Sequence, residues 1–109
     1  MTRRLVLDPD AERDLGEIFR YIAQRNLPAA ERDIRELRER CQFYAESPFM
    51  GPAEPSIARR LGVPSDQVRS FLYRNHRCYF AVTDEEIRVF GFIDTRRDLD
   101  TALEERLPH

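Results

Sequence analysis

The first half of the chain contains one short apolar run and then two long stretches in which apolar residues recur every three or four positions. Residues 3–7 predict an opening strand. Asp8 followed by Pro9 favours a helix start, because an oxygen-bearing cap and a proline suit the first turn. The spacing predicts one helix over residues 9–26 and a second over residues 28–46. With about one residue between them, these helices should form a tight antiparallel hairpin.

The second half of the chain changes to an alternation with a period of two, which predicts strands. A proline-rich connection precedes them, and the segment from Ser56 to Leu61, ending at Gly62, predicts a short helix within it. The predicted strands cover residues 69–73, 77–83 and 87–93, and a short terminal helix covers residues 99–107. This order predicts an α+β fold in a single domain, residues 1–109, with the helical hairpin packed on one face of a mainly antiparallel sheet.

Composition narrows the protein class and the kinds of partner. Of the 109 residues, 41% are hydrophobic and 35% are charged, which is typical of a globular protein. No apolar run approaches the roughly 20 residues of a membrane span, and Asp8 and Asp10 interrupt any signal-peptide core, so we expect a cytoplasmic protein without membrane contact. The net charge is −2, although residues 47–83 are locally basic. Strong direct nucleic-acid binding is therefore disfavoured, whereas a local anion-binding patch stays open.

Cysteine and histidine are the residues that would indicate a metal or redox site. Cys41 falls in a helical pattern and Cys78 in a strand pattern, and no CxxC spacing is present. His76 and His109 have no ligand-like neighbours along the chain. We therefore expect two reduced, buried thiols and no metal or cofactor.

Several short motifs follow one another in an order that is more specific than any of them alone. They include Ala11, Asp14-Leu15, Ile18, Tyr21-Ile22-Ala23, Ala29-Ala30, Pro48 before Gly51, Arg69-Ser70-Phe71 and Arg97-Asp98. Together they resemble the RelE/ParE toxin superfamily over nearly the whole chain, and the helical hairpin resembles its ParE branch. The resemblance implies a toxin of a type II toxin–antitoxin system that a ParD-like antitoxin neutralises, with DNA gyrase as the target.

RNA cleavage of the RelE type is the first alternative. It needs a group that activates the 2′-hydroxyl, a cation for the phosphorane and an acid for the leaving oxygen. The last predicted strand ends at Asp94 without a tyrosine or histidine, and a carboxyl group with an ordinary pKa near 4 is a poor acid at neutral pH. The remaining candidates for this chemistry are Arg69, Arg77, Tyr79 and Arg97. Because arginine is too basic to transfer protons readily, inhibition by binding is favoured over catalysis.

A helix-turn-helix DNA-binding unit is the second alternative. Residues 57–71, IARRLGVPSDQVRSF, would place Gly62 at the turn and Val68 in the recognition helix, and the local charge of this region is positive. A recognition helix at this position would present few base-reading side chains, and residues 69–73 also fit the pattern of a strand. This interpretation also gives no explanation for the motifs in residues 8–51.

A target-binding surface can be proposed at the end of the sheet. Its residues are Arg69, Arg77, Arg96, Arg97 and Asp98, with Asp98 orienting the arginines. Arginine suits this role because its planar fork pairs with carboxylates or phosphates. The competing interpretation is that Arg96 and Arg97 only cap the sheet end and pair with Asp98 or Asp100. The groove between the helical hairpin and the sheet edge should accept an amphipathic segment of the antitoxin, a small partner of acidic or mixed charge.

Overall fold

The computed structural model describes residues 3–106 and confirms the predicted order of elements. The helices and strands are β1 (Arg4–Leu7), α1 (Pro9–Ala23), α2 (Leu27–Glu46), a 3-10 turn (Pro48–Met50), α3 (Pro55–Leu61), β2 (Val68–Tyr73), β3 (His76–Val82), β4 (Glu86–Asp94) and α4 (Leu99–Glu104). The protein is therefore α+β, as the alternation of periods predicted.

All four strands form one sheet in the order β1-β4-β3-β2. The β2–β3 and β3–β4 pairs are antiparallel, whereas β1 lies parallel to β4. Opposite Phe80 and Tyr79 of β3 stand Val89 and Gly91 of β4, so Phe90 is an extra residue in β4 and forms a bulge. The bulge lies just beyond the end of β1. On the β1 side, the last part of β4 therefore has no neighbouring strand among the described residues.

The two faces of the sheet are covered by different helices. On the first face α1 and α2 bury a core that includes Leu37, Phe80 and Ile87, all at most 1% exposed. On the second face α3 and α4 cover a smaller group that includes Tyr79 and Leu103. Because successive residues of a strand point to opposite faces, the function of a strand residue depends on which of these two environments it enters.

The connection between α1 and α2 is longer than predicted. α1 ends at Ala23, and residues 24–26 separate it from α2. Asn26 has an extended backbone, and its side chain accepts a hydrogen bond from the Ala29 amide at 3.0 Å. An asparagine that caps α2 in this way lies outside both helices. Asp8 stands at the cap position of α1 without capping it, because its carboxylate binds Arg88 at 2.7 Å.

The helix-turn-helix interpretation of residues 57–71 is wrong. α3 stops at Gly62, which adopts a left-handed conformation with φ of 72°, and residues 63–71 contain no second helix. Val68 is completely buried in β2, and Arg69 pairs with Phe80 of β3. The burial of alternate residues in a sheet therefore overrides the weak helical signal, and the segment that would read DNA is a strand.

Candidate functional site at the end of the sheet

The structure brings three of the predicted arginine-rich site residues together on the second face. Arg77 and Tyr79 of β3 and Arg97 after β4 line a cleft of about 300 Å³. The other residues lining this arginine cleft are Ile93, Asp94, Thr95 and Leu99. The cleft combines two cationic side chains with a hydroxyl group and an apolar wall.

Arg77 is held by a short chain of hydrogen bonds. Its Nη1 donates to the Ser70 hydroxyl at 3.1 Å, and that hydroxyl donates to Glu54 Oε2 at 2.6 Å. Ser70 is fully buried, so these bonds fix the guanidinium at the wall of the arginine cleft. Within residues 3–106, no carboxylate oxygen lies within 4 Å of an Arg77 nitrogen.

Tyr79 has a buried ring, and its hydroxyl is not fully enclosed and forms no hydrogen bond among the described residues. Its ring is stacked on Phe90 with centroids 6.2 Å apart, and the residue is only 5% exposed. Burial raises the pKa of Tyr79, and the negative charge of Glu54 adds to this effect. The hydroxyl therefore remains protonated at neutral pH and can donate a hydrogen bond into the cleft.

Arg69 lies apart from the other arginines. It points to the first face, where its Nε donates to the Asp66 carbonyl at 2.9 Å and its Nη1 to the Gly51 carbonyl at 2.9 Å. Its guanidinium also lies 4.9 Å from the centre of the Phe49 ring. The single surface predicted from the sequence is thus divided by the sheet, because Arg69 and Arg77 sit on opposite faces.

Arg96 and Asp94 form a bidentate pair after the end of β4. Arg96 Nε and Nη2 lie 3.0 and 2.6 Å from the two Asp94 oxygens, and the Arg96 amide donates to the same carboxylate at 2.8 Å. The side-chain and backbone hydrogen bonds from Arg96 hold the pKa of Asp94 well below its usual range. Asp94 is therefore ionised throughout the physiological range and cannot act as the acid that RNA cleavage needs.

The remaining two residues of the predicted surface have other partners. Arg97 Nη2 lies 3.3 Å from Glu105 Oε2. Asp98 caps α4, because its carboxylate accepts from the Asp100 amide at 3.3 Å and from the Thr101 hydroxyl at 2.7 Å. Within the described part of the chain, Asp98 forms no ion pair with the arginines it was predicted to orient.

A second cleft, of about 490 Å³, lies between the helical hairpin and the end of the sheet. We call it the hairpin cleft. Its apolar part is formed by Ile18 and Ile22 of α1 and Phe92 of β4, and the exposed Tyr21 stands at its border. Four carboxylates and four arginines line the rest: Asp14, Glu17, Asp33, Asp94, Arg74, Arg96, Arg97 and Arg106.

A buried ion pair closes one side of the hairpin cleft. Arg106 binds Asp14 through both oxygens, with Nη2 lying 2.8 Å from Oδ1, and Asp14 Oδ2 also accepts from the Phe92 amide at 2.9 Å. A Cβ atom at Gly91 would lie 2.7 Å from Arg106 Nη1. The absence of a side chain at the bulge therefore gives Arg106 access to α1, and the pair joins the end of the chain to the helical hairpin.

His76 is a site residue that the sequence argument missed. It lies directly opposite Asp94 in the β3–β4 ladder and lines the hairpin cleft. Burial lowers the pKa of His76, and Asp94 partly opposes this shift. The imidazole is thus on the first face, whereas Arg77 and Tyr79 are on the second. The sequence argument left His76 in the turn before the predicted strand 77–83, whereas it is the first residue of β3. The shortness of that turn is the signal that could have placed His76 beside the end of β4.

The described residues contain two free thiols and neither a metal-ligand cluster nor a membrane-spanning helix. No group of three or more potential metal ligands occurs within residues 3–106. Cys41 and Cys78 are free and buried, as expected, and burial beside Cys41 raises the pKa of the Cys78 thiol. Among the helices of residues 3–106, none has the length and apolar character that would let it span a bilayer.

Comparison with known proteins is consistent with this architecture. The family model described as "ParE toxin of type II toxin-antitoxin system, parDE" matches residues 5–99. No curated protein matches the chain at a significant level. A solved structure described as "Chromosomal ParDE TA system from P. aeruginosa" is similar with a TM-score of 0.64 and 22% sequence identity. The match covers 85% of this chain and 96% of that chain, and at this identity it establishes the fold.

Proposed function

Because the chain belongs to the ParE toxin family of type II toxin–antitoxin systems, we propose that it acts by binding DNA gyrase in the cytoplasm and that a ParD-like antitoxin neutralises it. The observation that carries the choice of binding over catalysis is the arginine cleft. It presents Arg77, Arg97 and the Tyr79 hydroxyl, and none of these groups exchanges protons readily at neutral pH.

The positions of the titratable groups at the end of the sheet also favour inhibition by binding. Asp94 is held ionised by Arg96, and His76 lies on the face opposite Arg77. Acid–base catalysis on RNA needs an acid and a base within hydrogen-bonding reach of one phosphodiester. A site that only binds its target needs hydrogen-bond donors that point in fixed directions. The hydrogen bond to Ser70 fixes the direction of the Arg77 guanidinium.

The hairpin cleft is the surface we assign to the antitoxin. Its apolar part, formed by Ile18, Ile22 and Phe92, can accept one face of an amphipathic segment. Its charged residues already pair with one another, as in the contacts of Arg106 with Asp14 and Arg96 with Asp94. An uncharged stripe on the partner, flanked by mixed charges, would therefore fit this cleft better than a strongly acidic segment.

Gyrase inhibition is tested with purified protein in supercoiling and cleavage-complex assays. We expect the wild-type protein to inhibit supercoiling and Arg97→Gln to weaken inhibition by about tenfold, because a charge-assisted hydrogen bond is lost. Arg59→Gln is the matched control, since Arg59 is an exposed arginine of α3 outside the arginine cleft. Growth arrest with intact supercoiling and cleavage of ribosome-bound message would contradict the proposal and favour the RelE-type ribonuclease.

The antitoxin assignment is tested by separating the two surfaces. A short reading frame encoding a ParD-like protein should lie beside the gene, and its product should bind the chain. Ile22→Glu should weaken antitoxin binding, because it places a charge in the apolar part of the hairpin cleft. The same variant should still inhibit gyrase. Equal antitoxin binding by wild type and Ile22→Glu would show that the antitoxin uses another surface.

A further inference from the structure

The arginine cleft is lined by several hydrogen-bond donors, and one of them, Arg77, has no anionic partner among the described residues. Arg77 is half-buried, is braced by Ser70 and has no carboxylate within 4 Å among the described residues. Tyr79 lines the same cleft, and its hydroxyl forms no hydrogen bond among the described residues. A guanidinium beside an unshared hydroxyl donor is an arrangement that stabilises an oxyanion.

The second arginine of the cleft, Arg97, forms only a weak ion pair. Arg97 meets Glu105 at 3.3 Å, and the two side chains are 44% and 59% exposed. A surface pair of this kind contributes little free energy because water screens it and two flexible side chains must be ordered. Arg97 can therefore turn to an anion in the cleft at small cost.

The carboxylates near the cleft do not fill it. Asp94 lines the cleft, but both of its oxygens accept hydrogen bonds from Arg96. Glu54 reaches Arg77 only through the Ser70 hydroxyl. These acids hold other groups in place, and the cleft itself keeps two positive charges facing a space of about 300 Å³.

The shape of the cleft adds a second element of recognition. Ile93 and Leu99 form an apolar wall beside the arginines, and the exposed Thr95 lies at the turn. A bare ion would use only the cationic part, whereas an oxyanion attached to an organic group would also cover the apolar wall. Phosphate esters combine these two properties, since a phosphate group takes several directional hydrogen bonds and carries a sugar.

We propose that the arginine cleft is a phosphate-binding site in which Arg77, Arg97 and the Tyr79 hydroxyl hold one phosphate group of a nucleotide or nucleic-acid strand. The source of the phosphate rests on the proposed function: in a complex with gyrase it is a backbone phosphate of the DNA that gyrase holds. The negative net charge of the chain allows this, because one phosphate held in a small cleft requires no general affinity for nucleic acid.

The test uses the purified full chain with isotopic labelling and three probes in solution: inorganic phosphate, thymidine 5′-monophosphate and a tetrathymidylate strand. We expect saturable NMR shifts of the Arg77 side chain and of the amides at residues 95–97. A stronger response to the tetranucleotide identifies a nucleic-acid backbone as the source, whereas an equal response to the mononucleotide identifies a free nucleotide. Both results support a phosphate site.

The variants separate binding from folding. Arg97→Gln should weaken binding of the phosphate probes by about tenfold, and Tyr79→Phe, which keeps the buried ring, by about threefold. Arg77→Gln should abolish the response if it folds, and the other two variants carry the test if it does not. Arg59→Gln should bind as the wild type does.

Two outcomes would overturn the proposal. One is the absence of a saturable response to all three probes, and the other is a response that Arg97→Gln and Tyr79→Phe leave unchanged. If the first outcome is accompanied by saturable binding of a tetraglutamate peptide, the ligand of the cleft is an acidic protein segment. Gyrase inhibition without phosphate binding would contradict only the phosphate site. Phosphate binding without gyrase inhibition would contradict only the proposed function.

Discussion

The two faces of the sheet differ in how they are covered and in what they leave open. On the first face, α1 and α2 lie over a continuous core around Phe80 and Ile87. On the second face, α3 and α4 are short, and the arginine cleft remains beside them. A long helix with a regular apolar stripe can bury a continuous core on a sheet face, whereas two short helices cover a smaller part of the other face.

The comparison indicates that the main core and the proposed target-binding cleft use opposite sides of the same strands. In β3, Cys78 and Phe80 enter the core of the first face, while Arg77 and Tyr79 form the arginine cleft on the second. Each strand therefore contributes to both tasks with alternate residues. Substitutions at neighbouring positions of β3 should have effects of different kinds.

The largest effect on stability is expected on the first face. Phe80→Ala should lower the free energy of unfolding by about 3–5 kcal/mol, because Phe80 is fully buried and the variant leaves a cavity. Urea unfolding of the variant and wild type measures this difference. Phe43→Ala is the matched control, since Phe43 is 48% exposed, and it should cost far less. Equal losses for the two variants would contradict the importance assigned to the first face.

The second effect concerns the ion pair that joins the end of the chain to α1. Arg106→Met should lower the free energy of unfolding by about 3 kcal/mol, because it leaves the Asp14 carboxylate buried without its charged partner. Arg13→Met removes an exposed arginine that pairs with Asp10 at 2.9 Å and should have little effect. Denaturant unfolding at neutral pH compares the two variants, and similar midpoints would argue against a structural role for the buried pair.

The third effect concerns the cover of the second face. Leu103→Ala should lower the free energy of unfolding by about 2 kcal/mol, at the low end for a buried leucine, because a short terminal helix can move to fill part of the cavity. Hydrogen exchange of the α4 amides should increase more than exchange in α2. The exposed neighbour Glu104 provides the control, Glu104→Ala. A loss as large as that of Phe80→Ala would remove the contrast between the faces.

The smallest effect is a pH dependence that arises from His76. Burial lowers the pKa of His76 below its usual value of 6.5, so the folded state disfavours the protonated imidazole. The stability that this group contributes is fully present above pH 6.5 and is lost as the pH falls from 6.5 through the lower pKa of the folded state. The urea midpoint should therefore fall between pH 7.5 and pH 5.5 by less in His76→Gln than in wild type. Equal falls would show that other groups cause the dependence.

The elements of the fold were predictable because their signals are local. The apolar spacing of α1 and α2 and the alternation in β2, β3 and β4 each describe one element and its buried side. The local signal failed at Asp8, which has the right chemistry for a helix cap and instead binds Arg88 of β4. A cap and an ion pair compete for the same carboxylate, and only the position of β4 decides between them.

The candidate site was predictable in composition and not in arrangement. The sequence identified Arg69, Arg77 and Arg97 as one surface, but the pleat of the sheet separates Arg69 from the others. His76 lies opposite Asp94 only because of the register between β3 and β4. Register and bulges depend on contacts between distant residues, so a motif read along one strand cannot supply them.

The parallel pairing of β1 with β4 has a consequence for synthesis of the chain. Arg4 pairs with Glu86 and Leu7 with Val89, so β1 cannot form its pairing until β4 has been synthesised. At roughly 5–20 residues per second, this wait is on the order of 4 to 16 seconds. The apolar faces of α1 and α2 are without their sheet during that interval. A nascent chain of this protein therefore cannot display its arginine cleft until Arg97 and Leu99 have been synthesised, and a product that ends before β4 would lack it altogether.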